Sequence, residues 1–449
     1  MTILIFARGD LEKCMLDRTS FRDDYVVVTD AAYTSIISKY DYYLSMALDK
    51  FADEGVDFFS EEELFGIVWR DRYLRNINFK HALSLIYNVT GQLLNIIKVE
   101  KPCAVFSAQI PESFPIDILC RIAKHYDIKC YSFCVWAIPG YFTVIDYSSK
   151  RFYERDQPIQ NFNLRDIFCN NNNKIYRYCL QRSGFGYELL KRLRMVMSDG
   201  FFRMVTLNKY FNQDVKNENY LAMAYKTNVL ALAKLNLRDL DVMKYYVSLD
   251  SLKIKGDKKV IYLSLHYYPE ASIDYLSETL SLIDHDNIVL SLLKKFSDKC
   301  VFLLKEHPSM YRCRDLNFYD KIKVYPNTYL LNPSTDYIEI LKISNVVVSW
   351  GGSISLEAPF WGVQTLNIMK PLYYVKGFNN HFLNYKDLMD NFLYKLENPG
   401  YSLEDYCIAL NKLFARILFA GDYFTACQNN DFSLLKNLEQ VFSQSLVDK

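Results

Sequence analysis

Three short apolar runs in the second half of the chain each end on polar residues. Val260 to Leu265 runs into His266. Cys300 to Leu304 runs into Lys305-Glu306-His307-Pro308, and Asn345 to Val348 into Ser349-Trp350-Gly351-Gly352-Ser353. Runs this short, rich in Val, Ile and Leu and separated by helically spaced segments, predict buried parallel strands. The first half repeats the rhythm. Thr2 to Ala7, Tyr25 to Thr29, Cys103 to Phe106 and Ile128 to Phe133 read as strands, with helices over Ala82 to Ile97 and Ile116 to His125. Between the halves, Asn161 to Lys174 is polar and Asn-rich, while Glu188 to Arg203 and Asn219 to Leu235 have helical spacing. Lys253 to Lys259 reads as a hinge. After Pro399-Gly400, Leu403 to Phe419 and Phe432 to Gln444 read as closing helices.

This pattern predicts an α/β protein with two Rossmann-like parallel-sheet domains facing a cleft, a helical linker and C-terminal helices. The expected divisions are 1–150 for an acceptor-side domain and 151–257 for the mainly helical linker. A donor-binding domain follows over 258–398, and helices that pack across the domains over 399–449. No repeat of solenoid length interrupts that plan.

Composition narrows the classes. The chain has 449 residues, half of them hydrophobic, enough for two or three packed domains. Its 53 Lys and Arg against 52 Asp and Glu leave no global positive field, which argues against a nucleic-acid partner. Lys191, Arg192, Arg194 and Arg203 lie on helically spaced segments, as a solvated face or a surface for anionic lipid. Eleven cysteines, odd in number and without CxxC pairs, read as reduced core thiols. Met1 to Phe6 lacks the flanks of a signal peptide, and no run reaches the ~18 apolar residues of a spanning helix. A cytoplasmic protein is expected, with the inner-membrane surface as a peripheral location.

In open parallel sheets, ligands sit outside the carboxyl ends of the strands. Two glycines at 351 and 352 let the loop turn tightly and approach a ligand. The helix after it offers unpaired N–H groups to a phosphate, with hydroxyls from Ser349, Ser353 and Ser355. Glu357, four residues after Ser353, does not fit a capping box and is left to accept from ligand hydroxyls. His307, held after a strand by Pro308, suits phosphate binding or protonation of a leaving group; His266 and Glu270 have the same placement one strand earlier. A base is less legible. Asp10, Asp30, Asp71 and Glu112 lie in loops or near strand ends, with Glu112 and Asp10 ranked first. No Asp-x-Asp pair stands out as a metal-nucleotide clamp, which points to a site without an obligatory metal.

The series Leu265 to Ser272, Lys305 to Met310 and Val347 to Ala358 with Gly362 resembles the bacterial capsule polysaccharide biosynthesis family. That family includes Kdo transferases and is related to the two-domain GT-B glycosyltransferases. Trp69-Arg70-Asp71-Arg72 supports the likeness more loosely. The resemblance implies a nucleotide-sugar donor as co-substrate, with no further cofactor, and a glycan or lipid-linked acceptor. Polysaccharide export machinery is an implied partner. It places phosphate binding on His307, Pro308 and Ser349 to Ser355, and the nucleotide sugar on Glu357. Ser-Trp-Gly-Gly stands where many relatives carry Gly-Thr or Ser-Thr, which leaves the donor open. Two other readings remain: a sugar-nucleotide 2-epimerase, and a non-catalytic protein of the polysaccharide machinery.

Overall fold

The structure, a computed structural model, describes residues 2–8, 25–30, 40–46, 52–107, 111–134, 138, 140–169, 242–254, 256–268, 271–307, 310, 314 and 316–421. These divide into two compact units, one running up to Pro158 and resuming at Arg416, the other running from Ile159 to Ala415. Each is a Rossmann-like α/β unit. The helical expectations over Glu188 to Arg203, Asn219 to Leu235 and Phe432 to Gln444 lie outside the described residues.

Unit 1 is built on β1 (Ile3–Phe6), β2 (Tyr25–Thr29), β3 (Tyr42–Tyr43), β4 (Ala104–Ser107), β5 (Lys129–Cys134), β6 (Tyr141–Asp146) and β7 (Arg151–Phe152). The order β3-β2-β1-β4-β5 is parallel throughout. β6 then pairs antiparallel with β5, and β7 with β6. These antiparallel strands extend the sheet beyond what the apolar rhythm predicts.

The longer helices of unit 1 are α1 (Glu61–Arg70), α2 (Phe79–Glu100) and α3 (Phe114–His125). Ser60 and Glu63 form a capping box on α1. α3 is started from elsewhere: Asp71 Oδ2 accepts from Phe114 N–H at 2.9 Å, while Asp71 Oδ1 takes the N–H groups of Tyr73 and Leu74. Asp71, a sequence candidate for a base, is buried in this capping role.

Unit 2 carries β8 (Val260–Leu265), β9 (Val301–Glu306), β10 (Thr328–Leu331), β11 (Val346–Ser349) and β12 (Gln364–Asn367), all parallel, in the order β10-β9-β8-β11-β12. Alternation decides what each face packs on. Val260, Tyr262, Val301, Leu303 and Val347 point to one side and pack with Ile340 and Leu341 of α6 (Tyr337–Ile343). On the other side Phe302 approaches Phe392 of α8 (Tyr385–Glu397). Phe392 also stacks on Phe296, at the end of α4 (His285–Phe296), at 4.8 Å. Other helices are α5 (Leu316–Lys323), the five-residue α7 (Ser353–Glu357) and α9 (Leu403–Ile417), with two further short ones at Leu164–Cys169 and Ala271–Asp274. Each fully buried Val, Leu or Phe contributes about 1.5–3 kcal/mol to such a core.

Leu403 to Phe419, expected as one helix, ends at Ile417. The next residues form β13 (Leu418–Ala420), which pairs antiparallel with β6 and becomes the edge of the unit 1 sheet. Arg155 Nη1 donates to the carbonyl of Leu418, and Phe419 lies 5.7 Å from Phe142. Among the described residues no helix is long and apolar enough to cross a membrane.

Candidate functional site

In unit 2 the winding goes from β8 outward to β9 and β10, then returns to the other side of β8 with β11 and β12. The reversal lies between β8 and β11, where a doubly wound sheet opens a crevice at its carboxyl ends. His266 follows β8 and the 350–352 loop follows β11, so the topology puts them side by side. His266 Nε2 accepts from the main-chain N–H of Trp350 at 3.1 Å.

The two glycines have separate reasons. Gly351 has φ +81°, a left-handed conformation, and a Cβ there would lie 3.0 Å from Cβ of Pro371. At Gly352 a Cβ would lie 2.6 Å from Cε1 of His266. The second glycine therefore makes room for the imidazole. Gly352 is also the N-cap of α7, and Ser353 is its first residue.

Behind His266 lies a buried charge network that the sequence reading did not assemble. Arg314, 3% exposed, donates through Nε to Glu306 Oε1 at 3.0 Å, through Nη1 to Asp286 Oδ1, and through Nη2 to the main-chain carbonyl of His266. It thus ties the end of β9, the start of α4 and the end of β8 together. His285 Nδ1 lies 2.8 Å from Asp286 Oδ1, and its ring packs against Trp350 with centroids 4.3 Å apart. The Trp350 indole N–H donates to the Leu282 carbonyl at 2.9 Å.

Burial sets the charges here. It holds His266 down to about 3, helped by the neighbouring His285, His307 and Arg314, and it holds His285 down to about 4. Burial pushes Glu306 up to about 7 against the pull of Arg314. Lys305, buried beside it, is lowered to about 8 by loss of water, with Asp336 and Glu306 opposing. His307, exposed at the strand end, is held below its usual range by partial desolvation, then by Lys305 and Arg314. Tyr267 packs on its ring at 5.9 Å.

The other sequence candidates fall in different places. Ser349 and Ser355 are fully buried and hydrogen-bond to each other. Ser353 is exposed at the start of α7. Glu357 accepts from the Tyr337 hydroxyl at 2.8 Å, and burial pushes it up to about 7 against that hydrogen bond. Glu270, Pro308 and Asp10 lie outside the described residues. Glu112 belongs to unit 1, half-buried between β4 and α3. The carboxyl ends near it are occupied by a pinned arginine: Arg8 forms an ion pair with Asp30 and donates through Nη1 to Ser113 Oγ at 2.6 Å. Asp30, another candidate base, is thereby engaged.

No family model matches the chain, and no curated protein matches it. Among solved structures, it is similar to a Thermosulfurimonas dismutans KpsC, a β-Kdo 2,7 transferase, at 11% identity and TM-score 0.32, covering 85% of this chain and 98% of that one. It is also similar to the UDP-GlcNAc 2-epimerase of Neisseria meningitidis at 14% identity and TM-score 0.25, covering 97% and 100%. The UDP-N-acetylglucosamine 2-epimerase from Rickettsia bellii gives 13% identity and TM-score 0.28, covering 99% and 95%. Identities and scores are low, so none of these names passes to the chain.

Proposed function

We propose that the chain is a glycosyltransferase of bacterial capsule or surface polysaccharide assembly. It moves a sugar from a nucleotide donor, a Kdo-like sugar on CMP included, to a glycan or lipid-linked acceptor, with inversion and without an obligatory metal. The observation that supports it is the hydrogen-bonded pairing of His266 with the Trp350-Gly351-Gly352 loop at the reversal point of the second sheet. Lys305 and His307 stand at the end of the next strand.

The nucleotide phosphate would lie against the loop backbone, with Lys305 and His307 meeting the charge that develops on the departing phosphate. Preorganised donors of this kind lower a barrier by about 3–4 kcal/mol each. Glu357, whose carboxyl burial pushes up to about 7, would bind hydroxyls of the nucleotide sugar as acceptor and, when protonated, as donor. The proton of the acceptor hydroxyl would pass to a carboxylate, with Glu112 and Asp10 the candidates.

A thermal-shift screen against CMP, UDP, GDP, TDP and ADP tests this, repeated with His307→Ala. A nucleotide at about 100 times its Kd stabilises the folded state by ~2.7 kcal/mol. One nucleotide is expected to stabilise the wild type, with the shift lost in a variant that unfolds normally without ligand. No shift with any nucleotide would overturn the reading. Turnover of the nucleotide sugar without any acceptor would reassign the site to a 2-epimerase.

A further inference from the structure

The hydrogen bonds around His266 fix its protons as well as its position. The Trp350 main-chain N–H donates to His266 Nε2. A nitrogen that accepts carries no hydrogen, so the neutral ring is protonated at Nδ1. The main-chain N–H of His266 donates in turn to Nε2 of His285 at 3.2 Å, which puts the hydrogen of that ring on Nδ1 as well. It points at Asp286 Oδ1, 2.8 Å away, where Arg314 Nη1 also donates. The 3.4 Å approach of Nη1 to His285 Nδ1 is then two donors sharing one acceptor. From Trp350 to Asp286, each proton has one place.

The groups that bear on the His266 ring, His285, His307 and Arg314, all oppose an imidazolium. The carboxylates of Asp286 and Glu306, which would favour one, are engaged by Arg314. The Cε1 edge, between the two ring nitrogens, faces the loop: a Cβ at Gly352 would lie 2.6 Å from Cε1, 3.2 Å from Nε2 and 3.5 Å from Nδ1. A ligand oxygen drawn to that backbone would meet the Nδ1–H.

We propose that His266 is a neutral Nδ1–H donor to a phosphate oxygen of the bound nucleotide, and that Arg314 is the positioning residue that, through the His266 carbonyl, holds the ring where the Trp350 N–H fixes its tautomer. The ligand's identity rests on the function proposed above; the tautomer does not. A neutral donor of fixed tautomer gives the same hydrogen bond across the physiological pH range and needs no reprotonation between turnovers.

The full chain labelled with 15N-histidine tests this. It has only 6 histidines, and His266→Gln identifies the signal. Long-range proton–nitrogen spectra separate the two tautomers. The expected result is an Nδ1–H ring that does not titrate between about pH 5.5 and 8. An Nε2–H ring, or ordinary titration, overturns the donor assignment. In Arg314→Met, and in Arg314→Lys should the first not fold, the signal is expected to become a tautomer mixture or to titrate. An unchanged signal in a folded variant overturns the positioning role. Adding the nucleotide that shifts melting should move the Nδ1 proton resonance, and binding without that movement overturns the donor assignment. If no nucleotide binds, the functional reading falls and the phosphate ligand with it, while the ligand-free spectrum still decides the tautomer.

Discussion

The two sheets share one winding plan and use arginine differently at its centre. In unit 1 the reversal lies between β1 and β4, and the residue placed there is Arg8, locked to Asp30 from the end of β2 and to Ser113 at the start of α3. In unit 2 the corresponding place holds a neutral histidine, and the arginine stands behind it. Arg314 satisfies two carboxylates and a carbonyl while His266 faces the glycine loop. Both arrangements stiffen strand ends. Unit 1 commits the ring of side chains at its reversal point to structure, whereas unit 2 moves the structural charges back and leaves a donor at the front. The same topology therefore yields a brace in one unit and a candidate site in the other.

Removing each arginine is the strongest way to break this contrast. Arg314→Met strands the buried Glu306 and the half-buried Asp286 and is expected to cost about 3–5 kcal/mol. Arg8→Met strands one carboxylate and should cost about 1.5–3 kcal/mol. Denaturant unfolding read separately in the two units measures both, and equal losses would erase the distinction.

Next comes Gly352→Ala. The added methyl meets an imidazole that is hydrogen-bonded and cannot swing away, so a loss of about 1–3 kcal/mol is expected together with nucleotide binding. Gly140→Ala in unit 1 has open space and carries only the backbone penalty of φ +77°, about 1 kcal/mol. Melting and nucleotide titration of both variants check this.

Legibility differed in the same way. The cores of β8, β9 and β11 were readable because continuous apolar runs announce buried parallel strands, and the polar residues at their ends followed. β7 and β13 are two and three residues long, too short for any periodicity, and β6 continues past an antiparallel turn that the apolar rhythm does not mark. Arg314 was not readable. It sits in the polar run Tyr311 to Asp315, and its partner carbonyl on His266 is 48 positions away. The glycine pair was legible as a tight loop, but only the fold shows that Gly352 is occupied by a histidine edge. Ser349 and Ser355 looked like ligand donors because spacing cannot reveal that two hydroxyls satisfy each other.

A pH scan sharpens the unit 2 side. Glu357 keeps its proton in the folded state up to about 7 and loses it near the ordinary carboxylate value when unfolded. Between those values the folded state binds more protons, so this group's contribution to stability falls as pH rises. Glu357→Gln removes that slope and should raise the melting temperature relative to wild type at pH 8 more than at pH 5.5, by about 2–4 °C per kcal/mol. His266 and His285, held low, act in the opposite sense: their contribution is lost as pH falls from the ordinary histidine value towards about 3 and about 4 respectively. A difference of constant size across the range would refute the raised carboxyl. The smallest expected effect is Ser113→Ala in unit 1, about 1 kcal/mol for the lost bond from Arg8, read by thermal melting.

The short strand β13 has a consequence for how the molecule is made. Arg155 and its partner Leu418 are 263 positions apart in sequence, so the sheet that is translated first receives its edge strand last. At roughly 5–20 residues per second, the ribosome needs on the order of 13–50 seconds to cover that gap. For that interval the stretch of β6 from Tyr141 to Thr143 offers an unpaired edge to whatever strand comes near, which makes the nascent chain a natural client for chaperones.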